Sequence, residues 1–371
     1  MKYYIIAGEA SGDMHGANLI HSLKESDPEA EFRYWGGDKM EAEAGTPPTK
    51  HYRETAIMGI IEVLKKYRTI KGFFKLCKAD ILSWQPDAII FIDYPGFNLK
   101  IAKWAKGRGF KTLYYIAPKV WAWRQWRVKT IAKYIDRLYA IFPFEREWFA
   151  SHGVDAIYVG NPLLDEITER ELHSSEAKPE RPIIALVAGS RVMEVEHNLP
   201  VMVEVMKNFE GYDGVVTGVD WLDKSLYEKI LEGSTNVRVV YGKTYETMRV
   251  ASGALVTSGT ATLEAALLGV PQVVCYRGPA LTMSIARLML QGRIHWVSLV
   301  NIIMNRTVVT ELLGNKAFNA QSGTDSLRSI LEDGKDRKAL LESYTELREI
   351  LGETGASSRC ATEIVSYLTE K

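Results

Sequence analysis

The sequence predicts an α/β chain built as two doubly wound parallel sheets. Three observations lead there. Short apolar runs recur ahead of small-residue turns and helical stretches, the strand–turn–helix rhythm of a parallel sheet. That rhythm breaks once, over a charged and proline-flanked stretch, and then restarts. The chain of 371 residues also exceeds the roughly 250–300 residues beyond which single cores rarely grow.

In chain order, residues 3–7 form a buried strand, and Gly8-Glu9-Ala10-Ser11-Gly12-Asp13 opens a helix ending near residue 25. Strands follow at 32–35 and at 87–92, the second feeding Asp93-Tyr94-Pro95-Gly96-Phe97-Asn98 and a helix. Others lie at 112–116, 138–141 and 157–159. Residues 172–181 have the composition of a linker, giving a first domain over 1–171 and a second over 182–351. The second domain opens with a strand at 183–187 and the turn Ala188-Gly189-Ser190-Arg191. Its further strands lie at 214–217, 237–240, 254–256 and 272–276, and residues 325–371 read as helices only. Two such Rossmann-like domains are expected to face each other across a ligand cleft, beyond the carboxyl ends of their strands.

Composition narrows the function. Forty-six basic residues balance 46 acidic ones, so no global charge draws nucleic acid. Cys77, Cys275 and Cys360 are far apart and form no C-x-x-C pair, which fits a reducing compartment and no cysteine-held metal. His15 has no partner at metal-ligand spacing, so no protein-held metal and no cofactor are expected. The first strand begins without a signal peptide's long apolar region. No uncharged stretch reaches the ~18 residues of a membrane-spanning helix.

Two turns in the second domain suit a diphosphate. Gly189-Ser190-Arg191 and Ser258-Gly259-Thr260 both end predicted strands, offering backbone N–H groups and one guanidinium fork. Neither carries G-x-x-x-x-G-K-[ST] or G-x-G-x-x-G, which argues against a kinase loop or a dinucleotide site. Glu264, one turn into the helix that follows, reads either as a hydroxyl-binding carboxylate or as a group complementing the helix dipole.

In the first domain Asp93 projects from the end of a buried strand. Desolvation there raises a carboxyl toward the pKa of a general base, and capping of the turn is an equal reading. Glu9, Ser11 and Asp13 crowd the first turn, where capping is the plainer role for Asp13. Residues 57–78 carry an apolar arc of Val63, Leu64, Tyr67, Ile70, Phe74 and Cys77. Ile61, Phe73 and Leu76 fall on the opposite, basic side with Lys65 and Lys66, the pattern of a membrane-facing helix or of a partner interface. Gly72 is a point where this helix can split. Trp121-Ala122-Trp123-Arg124-Gln125-Trp126-Arg127 sets three indoles beside two guanidiniums, suited to headgroups, sugars or phosphates.

With these motifs in family order over nearly the whole chain, the sequence resembles the lipid-A-disaccharide synthases, inverting glycosyltransferases of the two-domain glycosyltransferase B fold. The runs Gly8–Asp13, Met58-Gly59-Ile60-Ile61-Glu62-Val63-Leu64, Ile92–Asn98, Val120–Arg124, Phe142-Pro143-Phe144-Glu145, Gly189–Arg191 with Glu194-Val195-Glu196, Ser258–Glu264 and Val297-Ser298-Leu299-Val300-Asn301 carry the resemblance. It implies transfer of 2,3-diacylglucosamine from its UDP conjugate to 2,3-diacylglucosamine 1-phosphate, at the cytoplasmic face of the bacterial inner membrane. It implies Asp93 as base, Glu264 as ribose ligand, Gly189 to Arg191 and Ser258 to Thr260 around UDP, and Glu9, Ser11, Asn301, Arg124 and Arg127 toward the acceptor or cleft. It also implies that residues from about 352 to 371 return to the first domain. Family members often carry Asp at the position of Gly96 and His at that of Asn161. The alternatives are a UDP-N-acetylglucosamine 2-epimerase-like enzyme and a non-catalytic nucleotide-binding protein.

Overall fold

The computed structural model describes residues 1–55, 67–122, 124–172, 179–279, 295–332 and 334–370. The chain divides into two compact units, Met1–Asp165 with Glu353–Lys371, and Glu166–Gly352. The division falls inside the helix Pro162–Leu172, ahead of the 172–181 stretch expected as linker; residues 173–178 of that stretch lie outside the described residues. The cause is local. Asn161 Oδ1 accepts the Leu163 N–H at 3.0 Å at the helix start, and Asp165 accepts the N–H groups of Gly355 and Ala356. The first turn is thereby tied to the closing helix Ala356–Thr369.

The first unit holds β1 (Lys2–Ala7), β2 (Glu31–Gly36), β3 (Lys50–His51), β4 (Ala88–Ile92), β5 (Lys111–Tyr115), β6 (Arg137–Ala140) and β7 (Ala156–Tyr158). They form a parallel sheet in the order β3-β2-β1-β4-β5-β6-β7. All five residues of β4, Ala-Ile-Ile-Phe-Ile, are buried, as a strand covered on both faces requires. Core tyrosines send their hydroxyls to carboxylates: Tyr3 donates to Asp27 at 3.0 Å and Tyr4 to Asp80 at 2.7 Å. The closing helix packs on the first helix, Ala10–Ser26.

The second unit holds β8 (Ile183–Val187), β9 (Asp213–Gly218), β10 (Val237–Tyr241), β11 (Ala251–Thr257), β12 (Gln272–Tyr276) and β13 (Thr310–Leu313), ordered β10-β9-β8-β11-β12-β13. The expected strands form with ends moved by a few residues. Sequence reading missed β3 and β13, short edge strands with too little apolar alternation to stand out.

Strand order reverses between β1 and β4 in one sheet, and between β8 and β11 in the other. At such switch points the loops leaving the strands diverge, and a ligand crevice opens at the carboxyl ends.

Candidate active site

Both sets of expected site residues fall on these switch points. In the first unit β1 runs into Gly8–Asp13 and β4 into Asp93–Asn98. Asp93 and Tyr94 are consecutive non-glycine residues with left-handed backbone, at φ +42° and +48°, a conformation costing about 1–2 kcal/mol per residue. Several contacts enforce it. Asn98 Nδ2 donates to the carbonyls of Asp93 at 2.8 Å and of Ile92 and Ile6 at 3.3 Å, and the Tyr114 hydroxyl also donates to the Asp93 carbonyl. Pro95 starts the next helix, Pro95–Lys106, where its missing N–H is not needed.

Asp93 is exposed as a residue, yet the protein around its carboxyl still desolvates it. Desolvation by that surround raises its carboxyl above the usual aspartate range, opposed by the Lys119 charge and the Tyr94 N–H. Lys119, four residues past β5, was not anticipated; only the adjacency of β4 and β5 brings it to Asp93.

Glu9 and Ser11 are exposed at the same edge. Asp13 does cap a helix, but not its own. It is buried and accepts the N–H groups of Gly37 at 2.6 Å, Lys39 at 3.1 Å and Met40 at 3.2 Å, at the start of the helix Asp38–Ala44. Gly96 faces open space, so the common family Asp fits there without a clash.

In the second unit, β8 ends in Gly189-Ser190-Arg191 and β11 in Ser258-Gly259-Thr260. Part of the expected phosphate cradle is already used: Glu194 Oε2 accepts the Ser190 N–H at 3.0 Å. Gly189 has φ +107°, and a Cβ there would sit 2.5 Å from Glu194 Oε2. Arg191 meets Glu194 through Nη1 at 3.1 Å, yet its side chain stays 70% exposed. A Cβ on Gly259 would meet nothing within 4 Å, so this turn admits close approach. Glu264 lies on the helix Ala261–Leu267. Desolvation first, then the Glu166 charge, pushes its carboxyl up to about 7 against the pull of Arg170 and Thr260.

Asn301 departs from the cleft role expected of it. It is fully buried, and its amide is spent within the chain. Nδ2 donates to Val309 O and Glu311 Oε1, both at 2.9 Å, while Oδ1 accepts the N–H groups of Val308 and Val309 at 2.7 and 2.9 Å. It braces the loop between the helix Leu299–Met304 and β13.

The tryptophan cluster divides. Trp121 is in the core, its Nε1 donating to Glu145 Oε1 at 2.9 Å. Trp123 lies outside the described residues. Trp126 is 66% exposed, with the Arg127 guanidinium 5.7 Å above its ring. Desolvation and the Arg124 charge lower the Arg127 pKa. Glu145 is fully buried and also accepts the Ile141 and Phe142 N–H groups at 3.1 Å. Desolvation outweighs those bonds and pushes its carboxyl up to about 7.

Ile61, Lys65 and Lys66 lie outside the described residues. The helix Tyr67–Trp84 runs unbroken through Gly72. Phe74 and Cys77 turn toward the core, as the 100° arc requires. Phe73 is a correction: it is half-buried and packs edge-on against Trp35, ring centroids 6.2 Å apart. Leu76 remains 43% exposed.

Comparison with known proteins settles the family. The lipid-A-disaccharide synthetase family model matches residues 3–365. A lipid-A-disaccharide synthase of Myxococcus xanthus is 35% identical over 377 residues, covering 99% of this chain and 97% of its own. One from Syntrophus aciditrophicus is 36% identical, covering 98% and 97%. Among solved structures, a putative UDP-N-acetylglucosamine 2-epimerase from Listeria monocytogenes superposes with a TM-score of 0.67 over 100% of this chain and 97% of its own. At 14% identity that likeness shows the fold alone, so it does not favour the epimerase alternative. A full-length family match at this identity, on two switch points bearing the expected residues, places the chain in the lipid-A-disaccharide synthase family of glycosyltransferases.

Proposed function

We propose that this enzyme transfers 2,3-diacylglucosamine from its UDP conjugate to the 6-hydroxyl of 2,3-diacylglucosamine 1-phosphate, giving a β(1→6)-linked tetraacyl disaccharide 1-phosphate and UDP. The carrying observation is the strained Asp93 elbow at one switch point and the Gly189–Arg191 and Ser258–Thr260 turns at the other. Asp93 accepts the hydroxyl proton as the acceptor oxygen attacks the anomeric carbon. The bond to the diphosphate breaks and its electron pair leaves with UDP, inverting the α-linkage to β. The desolvation that raises Asp93 makes it a stronger base. Arg191 and the Ser258–Thr260 turn absorb charge on the departing diphosphate, and Glu264 holds the ribose hydroxyls. The Arg124–Arg127 pair takes the acceptor 1-phosphate, with Glu9 and Ser11 beside the reacting hydroxyl.

Both substrates carry acyl chains and must come from a bilayer. Among the described residues no helix is long and apolar enough to cross a membrane. Contact at the cytoplasmic surface is supported by Leu76 beside exposed Lys75, and by Trp126 under Arg127. These suit the interfacial mixture of apolar and cationic groups.

The deciding experiment incubates the protein with the UDP-diacylglucosamine donor and the monosaccharide phosphate, with products read by mass spectrometry. Disaccharide and UDP are expected. A folded protein that yields neither overturns the reading, and one that epimerises UDP-N-acetylglucosamine supports the alternative.

A further inference from the structure

The Asp93 elbow is held by residues that touch neither substrate in the reaction above. We propose that Tyr114 and Asn98 are positioning residues, which aim the Asp93 carboxylate by gripping its main-chain carbonyl. This rests on Asp93 being the base.

The geometry is specific. Tyr114 and Asn98 are both fully buried. Tyr114 lies on β5, paired in register with Phe91 of β4, two residues before Asp93. Its hydroxyl reaches past the end of β4 and donates to the Asp93 carbonyl. Asn98 approaches the same oxygen from the first turn of the next helix, at 2.8 Å, while also donating to the carbonyls of Ile6 in β1 and of Ile92 at the end of β4. Its own Oδ1 is buried and meets no hydrogen-bond partner among the described residues. The Asn98 N–H groups are spent on three main-chain carbonyls that meet at the elbow.

The consequence follows from the backbone. A left-handed residue persists only where its surroundings over-determine it. With φ at +42°, the Asp93 Cα–Cβ bond points differently from the way it would in extended or right-handed backbone. Releasing the carbonyl lets the peptide rotate and turns the carboxylate away from the crevice, without altering any group that contacts UDP or the acceptor. Two donors on one oxygen resist that rotation from two sides, one anchored in the sheet and one in the helix.

The test is Tyr114→Phe, which removes only the hydroxyl and leaves the ring in the core. Its kcat is expected to fall on the order of 10- to 100-fold, the range for a misplaced catalytic group. The KM of both substrates and the affinity for UDP are expected to stay within about twofold, the fall lying in the chemical step. In an Asp93→Asn background the same Tyr114→Phe change is expected to have almost no further effect on residual turnover. A Tyr114→Phe enzyme as fast as wild type, or a full additional loss in the Asp93→Asn background, overturns the positioning role. Failure of the underlying reading looks different: Asp93→Asn alone then keeps near wild-type turnover. Asn98→Asp, if it folds, puts a carboxylate against three carbonyls and is expected to lower kcat further than Tyr114→Phe does. Should it not fold, the Tyr114 cycle decides alone.

Discussion

The Tyr94 ring occupies the space that a side chain on Gly8 would need: its Cγ, Cδ1 and Cδ2 lie 2.4 to 2.7 Å from the position of a Cβ there. The ring is held from the other side by a stack on Phe97, with centroids 5.6 Å apart, and by its own left-handed backbone. Gly8→Ala must therefore push the Asp93–Tyr94 elbow outward. A stability loss of about 1–3 kcal/mol is expected, together with a fall in kcat, read by thermal melting and steady-state kinetics. Gly96→Asp is the contrasting change. Its Cβ meets no atom within 4 Å, so stability is expected within about 0.5 kcal/mol of wild type and turnover is retained.

On the proposed ribose role, Glu264 is expected to give UDP binding a pH dependence. With its carboxyl at about 7, it is mostly protonated at pH 6 and mostly ionised at pH 8. Only the ionised form accepts hydrogen bonds from two ribose hydroxyls at full strength. UDP affinity measured calorimetrically is expected to rise with pH across this window more steeply in wild type than in Glu264→Gln. Both proteins share the titration of UDP itself, so the difference isolates the carboxyl. At pH 8 the variant is expected to bind roughly 10- to 100-fold more weakly, the equivalent of one charged hydrogen bond. Parallel curves would remove Glu264 from the ribose site.

Much of this was legible beforehand, for a physical reason. A parallel strand buried on both faces leaves an unbroken apolar run, and the loop after it announces itself by small residues. Asp93 and the turns at Arg191 and Ser258 could thus be placed after strand ends from sequence alone, with Glu264 one turn into the following helix. What stayed hidden was which side-chain atoms are already in use. Nothing local to Asn301 reveals that its amide is saturated by Val308, Val309 and Glu311. Nor does anything beside Ser190 show that Glu194 takes its N–H. Tyr114 and Lys119 reach Asp93 only because β5 lies next to β4, a pairing that hydrophobic period does not encode. The side that Phe73 takes is set by Trp35, which lies on a strand distant in sequence.

Asp13 belongs to structure rather than chemistry. Its carboxylate satisfies three N–H groups opening the helix Asp38–Ala44, and Gly36 and Gly37 leave room for its oxygens. Asp13→Ala is expected to lower stability by about 1–3 kcal/mol, since the donors at Gly37 and Met40 are left without a partner. At a temperature where the variant stays folded, its kcat should match wild type. A selective loss of kcat with unchanged melting would place Asp13 in the active site instead.

The membrane reading is tested where the exposed apolar groups stand. Leu76→Ser combined with Trp126→Ser is expected to reduce co-sedimentation with anionic vesicles severalfold, each lost apolar group weakening partition. UDP affinity should not change. Unaltered sedimentation would assign these exposed side chains to a protein partner instead.

Glu145 makes stability itself depend on pH. Its folded-state carboxyl at about 7 lies above the unfolded value of 4.5, so the folded chain binds the proton more tightly. That contribution is fully present below about pH 4.5 and is lost as pH rises through 7. Glu145→Gln has no such titration, but its amide N–H groups face the donors of Trp121, Ile141 or Phe142, at a penalty of about 1–3 kcal/mol. Urea denaturation should find wild type more stable than the variant at pH 5. That gap is expected to narrow by roughly 1–3 kcal/mol on reaching pH 7.5, while pH effects shared by both chains cancel. A gap constant across this range would mean that the three N–H groups already hold Glu145 ionised at pH 5, and that burial does not dominate its chemistry.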